Sequence, residues 1–349
     1  MWRGEKLSRA AATTTGDVRV SRAREARARL ASLLQRQGAL VALVLVCLFA
    51  SLRFETFLTE ANLTNILRQN SMLGFVALGM TFVILTGGID LSVGALLAVA
   101  GVAAATLSPN GAIIAVVGGV AAGTILGSIN GMVIAKARIQ PFIVTLAMMI
   151  AARGAVYVWT NENSVPVAPG ATTFRRLGQG KLGDLYFPGV GLEIPLFVPV
   201  LLLVAAYILG WLCLRYTRFG RHVFALGDNE EAARLMGLNV GRVTIGVYAL
   251  SGLLAGVGGV LLAARLGTGQ PVAGLGWELE AIAAVVVGGT LLTGGTGGVG
   301  STVVGWLLLA VILNLLNLGA TITPWWQNVI RGIFLLAVVI LQNRLAARR

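Results

Sequence analysis

Asp90 stands alone as an acidic residue between two long apolar runs, in the glycine-rich segment Thr86-Gly87-Gly88-Ile89-Asp90-Leu91-Ser92-Val93-Gly94. The segment supplies too little polar chain for a solvated loop. Helical backbone can break at membrane depth only where protein or a water-filled cavity satisfies it, so an ionisable residue there is a candidate for a substrate pathway. Capping of the next helix is the alternative role for Asp90. Ser92 and Asn130 are further pathway candidates, and an interhelical hydrogen bond is the alternative for Asn130.

A second glycine-rich break, residues 288–300, also separates two apolar runs. Its glycines resemble a phosphate-binding loop, but such a loop needs a lysine after its last glycine, and none of the chain's three lysines has that spacing. Nucleotide binding here is therefore not expected. Two interrupted hydrophobic segments, one in each half of a chain, are typical of a transport pathway. The helix-breaking positions are expected at Gly87, Gly88, Gly294 and Gly295.

The elements that must position these breaks are membrane-spanning helices. Of the 349 residues, 56% are apolar and 12% charged, which excludes large soluble domains. The apolar runs are continuous and do not alternate as barrel strands would. At about 20 residues per crossing, they predict an all-α polytopic membrane protein with about ten transmembrane helices and two broken or re-entrant segments. The predicted spans are 38–58, 66–87, 91–108, 112–135, 141–160, 195–215, 244–265, 278–293, 299–318 and 325–342.

The distribution of basic residues predicts the orientation of these spans. Most of the 27 Lys and Arg residues fall on one side if both termini are cytoplasmic, as the positive-inside rule requires. The domains are then a basic cytoplasmic tail (1–37), a transmembrane domain (38–342) and a second cytoplasmic tail (343–349). The loop 161–194 is external, and the loop 216–243 is cytoplasmic. Membrane insertion and attraction to anionic lipid account for the net charge of +13, so nucleic-acid binding is not expected.

Other residue types that could carry chemistry are sparse. Cys47 and Cys213 lie inside apolar runs, and the single histidine, His222, lies in a basic hydrophilic segment. No catalytic, metal or cofactor site is expected from them. Glycines recur every four residues at Gly119, Gly123, Gly127 and Gly131, and again at Gly252 and Gly256. This spacing predicts close helix packing, within one subunit or between two.

The cytoplasmic loop contains a short helix-forming segment. Glu230 to Leu235 favour a helix, and Gly237 is suited to end it in a left-handed conformation. By physical chemistry alone this helix is a connector on the cytoplasmic face. However, Glu231-Ala232-Ala233, followed by three residues and Gly237, matches the coupling-helix signature of bacterial ABC importer permeases.

From about residue 60 to 342 the chain resembles the permeases of ribose-type monosaccharide ABC importers. The resemblance rests on residues 85–94, 138–146 and 278–290, and residues 276–279 and 324–326 resemble galactofuranose-type permeases in particular. It implies a bacterial inner-membrane importer with two permease subunits, identical or different, and an external sugar-binding protein. Two cytoplasmic ABC ATPase subunits, or one fused tandem ATPase, would hold ATP and Mg²⁺. This chain would be the non-enzymatic pore subunit and would itself hold no cofactor.

Two other functions remain as alternatives. A self-contained secondary transporter also uses broken helices, and its cation-coupling carboxylates could only be Asp90, Glu278 or Glu280. An intramembrane enzyme would need paired acids, a histidine cluster or a serine with a base inside the spans. The sequence does not provide such a set, so the importer subunit is the favoured function.

Overall fold

The fold follows from long apolar helices. The computed structural model describes residues 38–187 and 192–318, with six further positions between 326 and 336. Both predicted tails and most of the predicted span 325–342 lie outside this part of the chain. The helices are α1 (Gly38–Arg53), α2 (Glu60–Leu85), α3 (Val93–Leu107), α4 (Ala112–Ala137), α5 (Pro141–Thr160), α6 (Thr172–Gln179), α7 (Val198–Tyr216), α8 (Arg218–Asp228), α9 (Glu230–Leu235), α10 (Val240–Leu266), α11 (Trp277–Val287) and α12 (Val299–Leu318).

Seven helices among the described residues are long and apolar enough to cross a membrane. They are α2, α3 with the short 3₁₀ turn that follows it, α4, α5, α7, α10 and α12. The polytopic helical architecture is thus confirmed, whereas the total of about ten spans stays a prediction. Two predicted spans are shorter than expected: α1 ends at Arg53, and α11 has 11 residues. At 1.5 Å per residue, α11 covers about half of a hydrocarbon core of roughly 30 Å.

The core of the bundle is built from α2, α3 and α10, whose membrane windows are mostly buried, and α4, α5 and α7 lie at its periphery. The peripheral helices expose large apolar side chains, among them Ile113, Val117 and Ile150. Exposing these apolar side chains to water would raise the free energy of the folded protein, whereas contact with lipid tails does not. The packing therefore agrees with a bundle immersed in a bilayer.

The predicted glycine packing is confirmed within one chain, between α4 and α10. Gly123 and Gly127 of α4 face Gly252 and Gly256 of α10. A Cβ added to Gly123 would lie 2.9 Å from the Gly256 Cα, and one added to Gly127 would lie 2.9 Å from the Gly252 Cα. The two backbones approach this closely only because these positions have no side chains.

The predicted external loop 161–194 is a folded cap and not an open connector. Strand β1 (Val165–Pro166) pairs antiparallel with β4 (Thr268–Gly269), and β2 (Lys181–Phe187) pairs antiparallel with β3 (Leu192–Phe197). Helix α6 packs on the end of α10, where the Gln179 side chain donates a hydrogen bond of 2.9 Å to the Arg265 carbonyl oxygen. The all-α prediction therefore missed two small sheets: β1 and β4 have only two residues each, while β2 contains Gly183 and β3 contains Pro195, residues that disfavour strands.

Helix α10 defines two opposite ends of the bundle. It begins at Val240, shortly after α9, and reaches Leu266 beside α6. Its 27 residues correspond to about 40 Å, slightly more than the thickness of a hydrocarbon core. We refer below to the α9 end and the α6 end of the bundle.

Candidate coupling and transport sites

Helix α9 is a short, capped helix within the predicted cytoplasmic loop. The Asn229 side chain accepts a hydrogen bond of 2.9 Å from the Ala232 amide at its beginning. At its end, Gly237 has a φ of 82°, and the Leu238 amide donates to the Ala233 carbonyl oxygen at 3.1 Å. This is the left-handed glycine termination that the sequence predicts. The four motif residues Glu231, Ala232, Ala233 and Gly237 therefore belong to one helix–turn unit.

The surface of α9 has one buried and one exposed side. Ala233 is completely buried against the bundle, and Glu231 is exposed. The apolar side chains of Leu235 and Met236 are 84% and 76% exposed. Exposed apolar groups beside charged residues at the end of a bundle form a surface suited to a protein partner. The sequence motif indicated the position of this surface but not the exposure of Leu235 and Met236.

The two glycine-rich breaks meet at the α9 end. The Gly295 amide donates a hydrogen bond of 3.0 Å to the Leu85 carbonyl oxygen at the end of α2. Gly87, Gly294 and Gly295 all have positive φ angles, and a Cβ on Gly294 would lie 2.7 Å from the Gly87 nitrogen. Gly88 follows directly in the first break. The structure thus brings Gly87, Gly294 and Gly295 into one junction, whereas Gly88 lies against Tyr248 and Val83.

Helix α8 ends on this junction, a feature that sequence reasoning missed. Gly227 packs against the Leu85 carbonyl, and its carbonyl oxygen would lie 2.9 Å from a Cβ on Gly294. The next residue, Asp228, packs on Gly295. Because α9 begins two residues later, one continuous segment joins the exposed motif to both breaks. A glycine inside an amphipathic helix gives no local signal of such a contact.

Asp90, Ser92 and Asn130 are brought together in one buried network. The Asp90 carboxylate accepts hydrogen bonds from the Ser92 amide at 3.0 Å and the Ser92 hydroxyl at 2.6 Å. Its second oxygen accepts from the Ser251 hydroxyl on α10 at 2.8 Å. The Asn130 amide on α4 donates to the Ser92 hydroxyl at 2.9 Å. Ser251 was not predicted, because nothing in the sequence of α10 indicates which of its faces meets Asp90.

This network ties the start of α3 to α4 and α10. Asp90, Ser92 and Asn130 are fully buried, and Ser251 is 1% exposed. The loop before α3 is also held by the Thr145 hydroxyl, which donates to the Ile89 carbonyl oxygen at 3.2 Å. The geometry agrees with a carboxylate that satisfies backbone and hydroxyl donors at a helix start. Contact of these residues with a substrate stays a prediction.

A polar cavity lies at the α6 end, enclosed by α2, α11 and α12. Its volume is about 210 Å³. Its lining includes one indole, one carboxyl and four carboxamide side chains: Gln69, Asn70, Trp277, Glu280, Asn314 and Asn317. Sequence reasoning noted Glu280 only as a residue at the edge of a span. The others are scattered over three helices, so their convergence had no local signal.

Metal and cofactor chemistry receives no support from the described side chains. Within the described ranges, no group of three or more His, Cys, Asp or Glu residues could hold a metal ion. The expectation that this chain holds no cofactor stays a prediction.

Comparison with known proteins identifies the family. The family model described as "Branched-chain amino acid transport system / permease component" matches residues 62–339. The ribose import permease protein RbsC of Escherichia coli K12 is 41% identical over 314 residues, covering 89% of this chain and 94% of the relative. RbsC of Bacillus subtilis is 38% identical, covering 90% of this chain and 94% of its own. The L-arabinose permease protein AraH of Azospirillum brasilense is 37% identical, covering 93% and 92%.

No solved structure was found to match the chain. The family match and the relatives span nearly the whole transmembrane domain. The chain therefore belongs to this permease family and, within it, to the ribose-type sugar ABC importer permeases. Membership agrees with the seven helices, among the described residues, that are long and apolar enough to cross a membrane, and identifies a multi-pass protein of the bacterial inner membrane.

Proposed function

We propose that this chain is the transmembrane pore subunit of an ABC importer that moves a neutral monosaccharide into the cytoplasm. The observation that carries the proposal is α9, a capped helix whose motif face is exposed beside Leu235 and Met236. A pore protein that acted alone would gain nothing from such a surface. The relatives above are named for ribose and L-arabinose, and the D-allose transport system permease protein AlsC of Escherichia coli K12 is also 36% identical; these names support a pentose or hexose as the cargo. Ribose and galactofuranose are the first sugars to test.

In this proposal, α9 receives movement from a separate cytoplasmic ABC ATPase. ATP and Mg²⁺ bind to that partner, and its closure displaces α9 together with α8. Because Gly227 and Asp228 pack directly on the Leu85–Gly295 junction, displacement of α8 shifts the ends of α2 and of the second break. Closely packed backbone segments change between a few distinct arrangements and do not deform gradually. A shift of α8 can therefore move the pore from one arrangement to another, so that it opens to the opposite side of the membrane.

The proposed orientation places the α9 end and both termini in the cytoplasm. The α6 end, with the folded cap and the polar cavity, then faces outward. There the cap would help to receive a sugar-loaded binding protein. A second permease subunit, identical or different, would complete the pore, as the family membership supports.

The test uses the complete transporter, assembled with the ABC ATPase and the sugar-binding protein that act with this chain. The double substitution Glu231→Ala and Gly237→Ala alters the motif face and strains the turn. We expect ATP hydrolysis to continue while uptake of labelled D-ribose, L-arabinose or D-allose is lost. Glu55→Ala, an exposed carboxylate at the other end, is the control.

Normal uptake by the double variant would contradict the coupling role of α9. A second measurement addresses the secondary-transporter alternative. Proteoliposomes that contain only this chain are given an ion gradient and the same labelled sugars. Uptake without any ATPase would overturn the proposal, and uptake only in the complete complex would support it.

A further inference from the structure

The polar cavity between α2, α11 and α12 is remote from both the coupling helix and the Asp90 network. Gln69 and Asn70 lie in the first half of α2, whereas the Leu85–Gly295 junction lies at its other end. The separation of 15 residues from Asn70 to Leu85 corresponds to about 22 Å along the helix. Next to Gln69, the Arg68 carbonyl oxygen accepts a hydrogen bond of 3.0 Å from Arg265, close to α6. The cavity therefore lies at the α6 end.

The lining chemistry is unusual for a surface that packs only against lipid. Four carboxamides and one carboxylate converge on a space of about 210 Å³, far more than the roughly 10–15 Å³ that one water molecule requires. Polar groups at the membrane are costly unless they face a water-filled cavity or one another. Helix packing alone does not require so many polar side chains around one space, so their presence indicates a water-filled cavity.

Part of the lining is held in a defined position. Asn314 on α12 and Asn62 on α2 exchange two amide hydrogen bonds, of 2.7 and 3.1 Å. The Trp306 indole donates to the Asn70 carbonyl oxygen at 2.9 Å, and so joins α12 to α2 a second time. These contacts fix the spacing of the two helices. In contrast, the Gln69 carboxamide is exposed and makes no hydrogen bond within the described residues.

We propose that this cavity is an entry subsite that binds a neutral, polyhydroxylated solute of monosaccharide size. The inference rests on the proposed importer function. It adds a position at which the solute binds and a preference for uncharged solutes. Carboxamides offer donors and acceptors together, which matches hydroxyl groups that both donate and accept. The Trp277 ring supplies an apolar face for the C–H side of a sugar ring. Among the described residues that line the cavity, Glu280 is the one carboxylate and there is no lysine or arginine, so this lining disfavours sugar phosphates.

The first test is chemical labelling in the complete transporter. Asn317→Cys is made in a background with Cys47→Ser and Cys213→Ser, and intact cells are treated with a membrane-impermeant cationic thiol reagent. We expect modification to reduce uptake of labelled D-ribose, L-arabinose or D-allose at least tenfold, and the same sugar to slow the modification. Glu55→Cys, exposed at the same end but outside the cavity, is expected to react without loss of uptake.

The second test separates a binding role from a structural one. In the complete transporter, Gln69→Leu removes one polar partner, and Glu280→Gln removes the charge and replaces one acceptor oxygen with an amide donor; both preserve side-chain size. We expect each to raise the KM for sugar uptake about three- to tenfold, the effect of one lost hydrogen bond, with maximal rate and membrane protein level nearly unchanged. In addition, Glu280→Gln should reduce discrimination against a sugar phosphate offered as a competitor.

The outcomes distinguish the two proposals. If the unmodified transporter takes up none of these three sugars and no galactofuranose, the proposed function fails. If it transports a sugar but labelled Asn317→Cys and both polar variants keep normal kinetics, the subsite is overturned and the importer function stands. Protection by the sugar, together with the predicted rise in KM, supports the subsite.

Discussion

Gly295 donates its backbone N–H to the carbonyl oxygen of Leu85 at 3.0 Å, and this bond joins the second glycine-rich break to the end of α2. Leu85 is the last residue of α2, so its carbonyl has no partner within the helix. The second break thus satisfies a polar group that the end of α2 would otherwise leave without a partner at the α9 end of the bundle. Gly227 packs on the same carbonyl, which places α8 in contact with both breaks.

Gly227→Ala is expected to disturb this junction. The added Cβ would lie 2.5 Å from the Gly295 nitrogen and would collide with the Leu85 carbonyl, so one of the three backbone segments must move. Overpacking of this kind costs about 1–3 kcal/mol. We expect uptake to fall strongly while the protein still reaches the membrane, measured as sugar uptake per amount of transporter.

Gly300→Ala is the matched control for Gly227→Ala, because a Cβ at Gly300 meets no atom within 4 Å. Equal uptake in the two variants would show that the contact between α8 and the junction is not needed for transport.

Asp90→Ala is expected to destabilise the bundle more than Asp90→Asn. Alanine leaves the buried Ser92 and Ser251 groups without their acceptor, at a cost of about 1–3 kcal/mol. Asparagine keeps an oxygen for Ser92 and can donate to the Ser251 hydroxyl. Thermal unfolding of the purified protein in detergent measures the difference.

Transport by Asp90→Asn then separates the two predicted roles of Asp90. A structural tie predicts that the asparagine variant retains most of its uptake. Loss of uptake with normal thermal stability would instead support direct contact between Asp90 and the solute.

Gly127→Ala is expected to push α4 away from α10. Its Cβ would lie 2.9 Å from the Gly252 Cα and would also meet the Tyr248 carbonyl, so the helices must separate or shift. We expect a loss of about 1–3 kcal/mol in unfolding free energy. Gly154→Ala on α5, where a Cβ meets no atom within 4 Å, should retain the stability of the original chain. Equal unfolding curves for the two variants would refute the close-packing interpretation.

Leu235→Asp is expected to weaken binding of the cytoplasmic ATPase. The leucine side chain is 84% exposed, so the substitution should leave the fold of α9 intact while it places a charge in an apolar contact. Loss of a central interface side chain typically costs more than about 1 kcal/mol, or roughly fivefold or more in affinity. Co-purification of the ATPase with the tagged permease measures the effect.

Leu182→Asp provides the comparison for Leu235→Asp, since Leu182 is 71% exposed at the opposite end of the bundle. If both variants retain the ATPase equally well, α9 is not the docking surface.

Local patterns in the sequence determined the helical architecture, the positions of both breaks and the form of α9. Continuous apolar runs define membrane helices because the bilayer forces backbone hydrogen bonds to close within each segment. Asn229 and Gly237 are similarly local signals, since a cap and a left-handed turn depend on a few neighbouring residues. The same reasoning located Asp90 and the glycine stripe of α4. It missed β1 and β4, which have two residues each, and β2 and β3, whose Gly183 and Pro195 disfavour a strand.

Only the tertiary structure decided which of these features meet. Ser251 completes the Asp90 network, and Gly227 reaches the junction of the two breaks, because α10 and α8 present particular faces to the core. The polar cavity depends likewise on the mutual rotation of α2, α11 and α12. Such contacts join residues far apart in the chain, and they depend on helix packing angles that no single helix encodes. The sequence thus determined the elements and their chemistry, and packing decided the sites that those elements form.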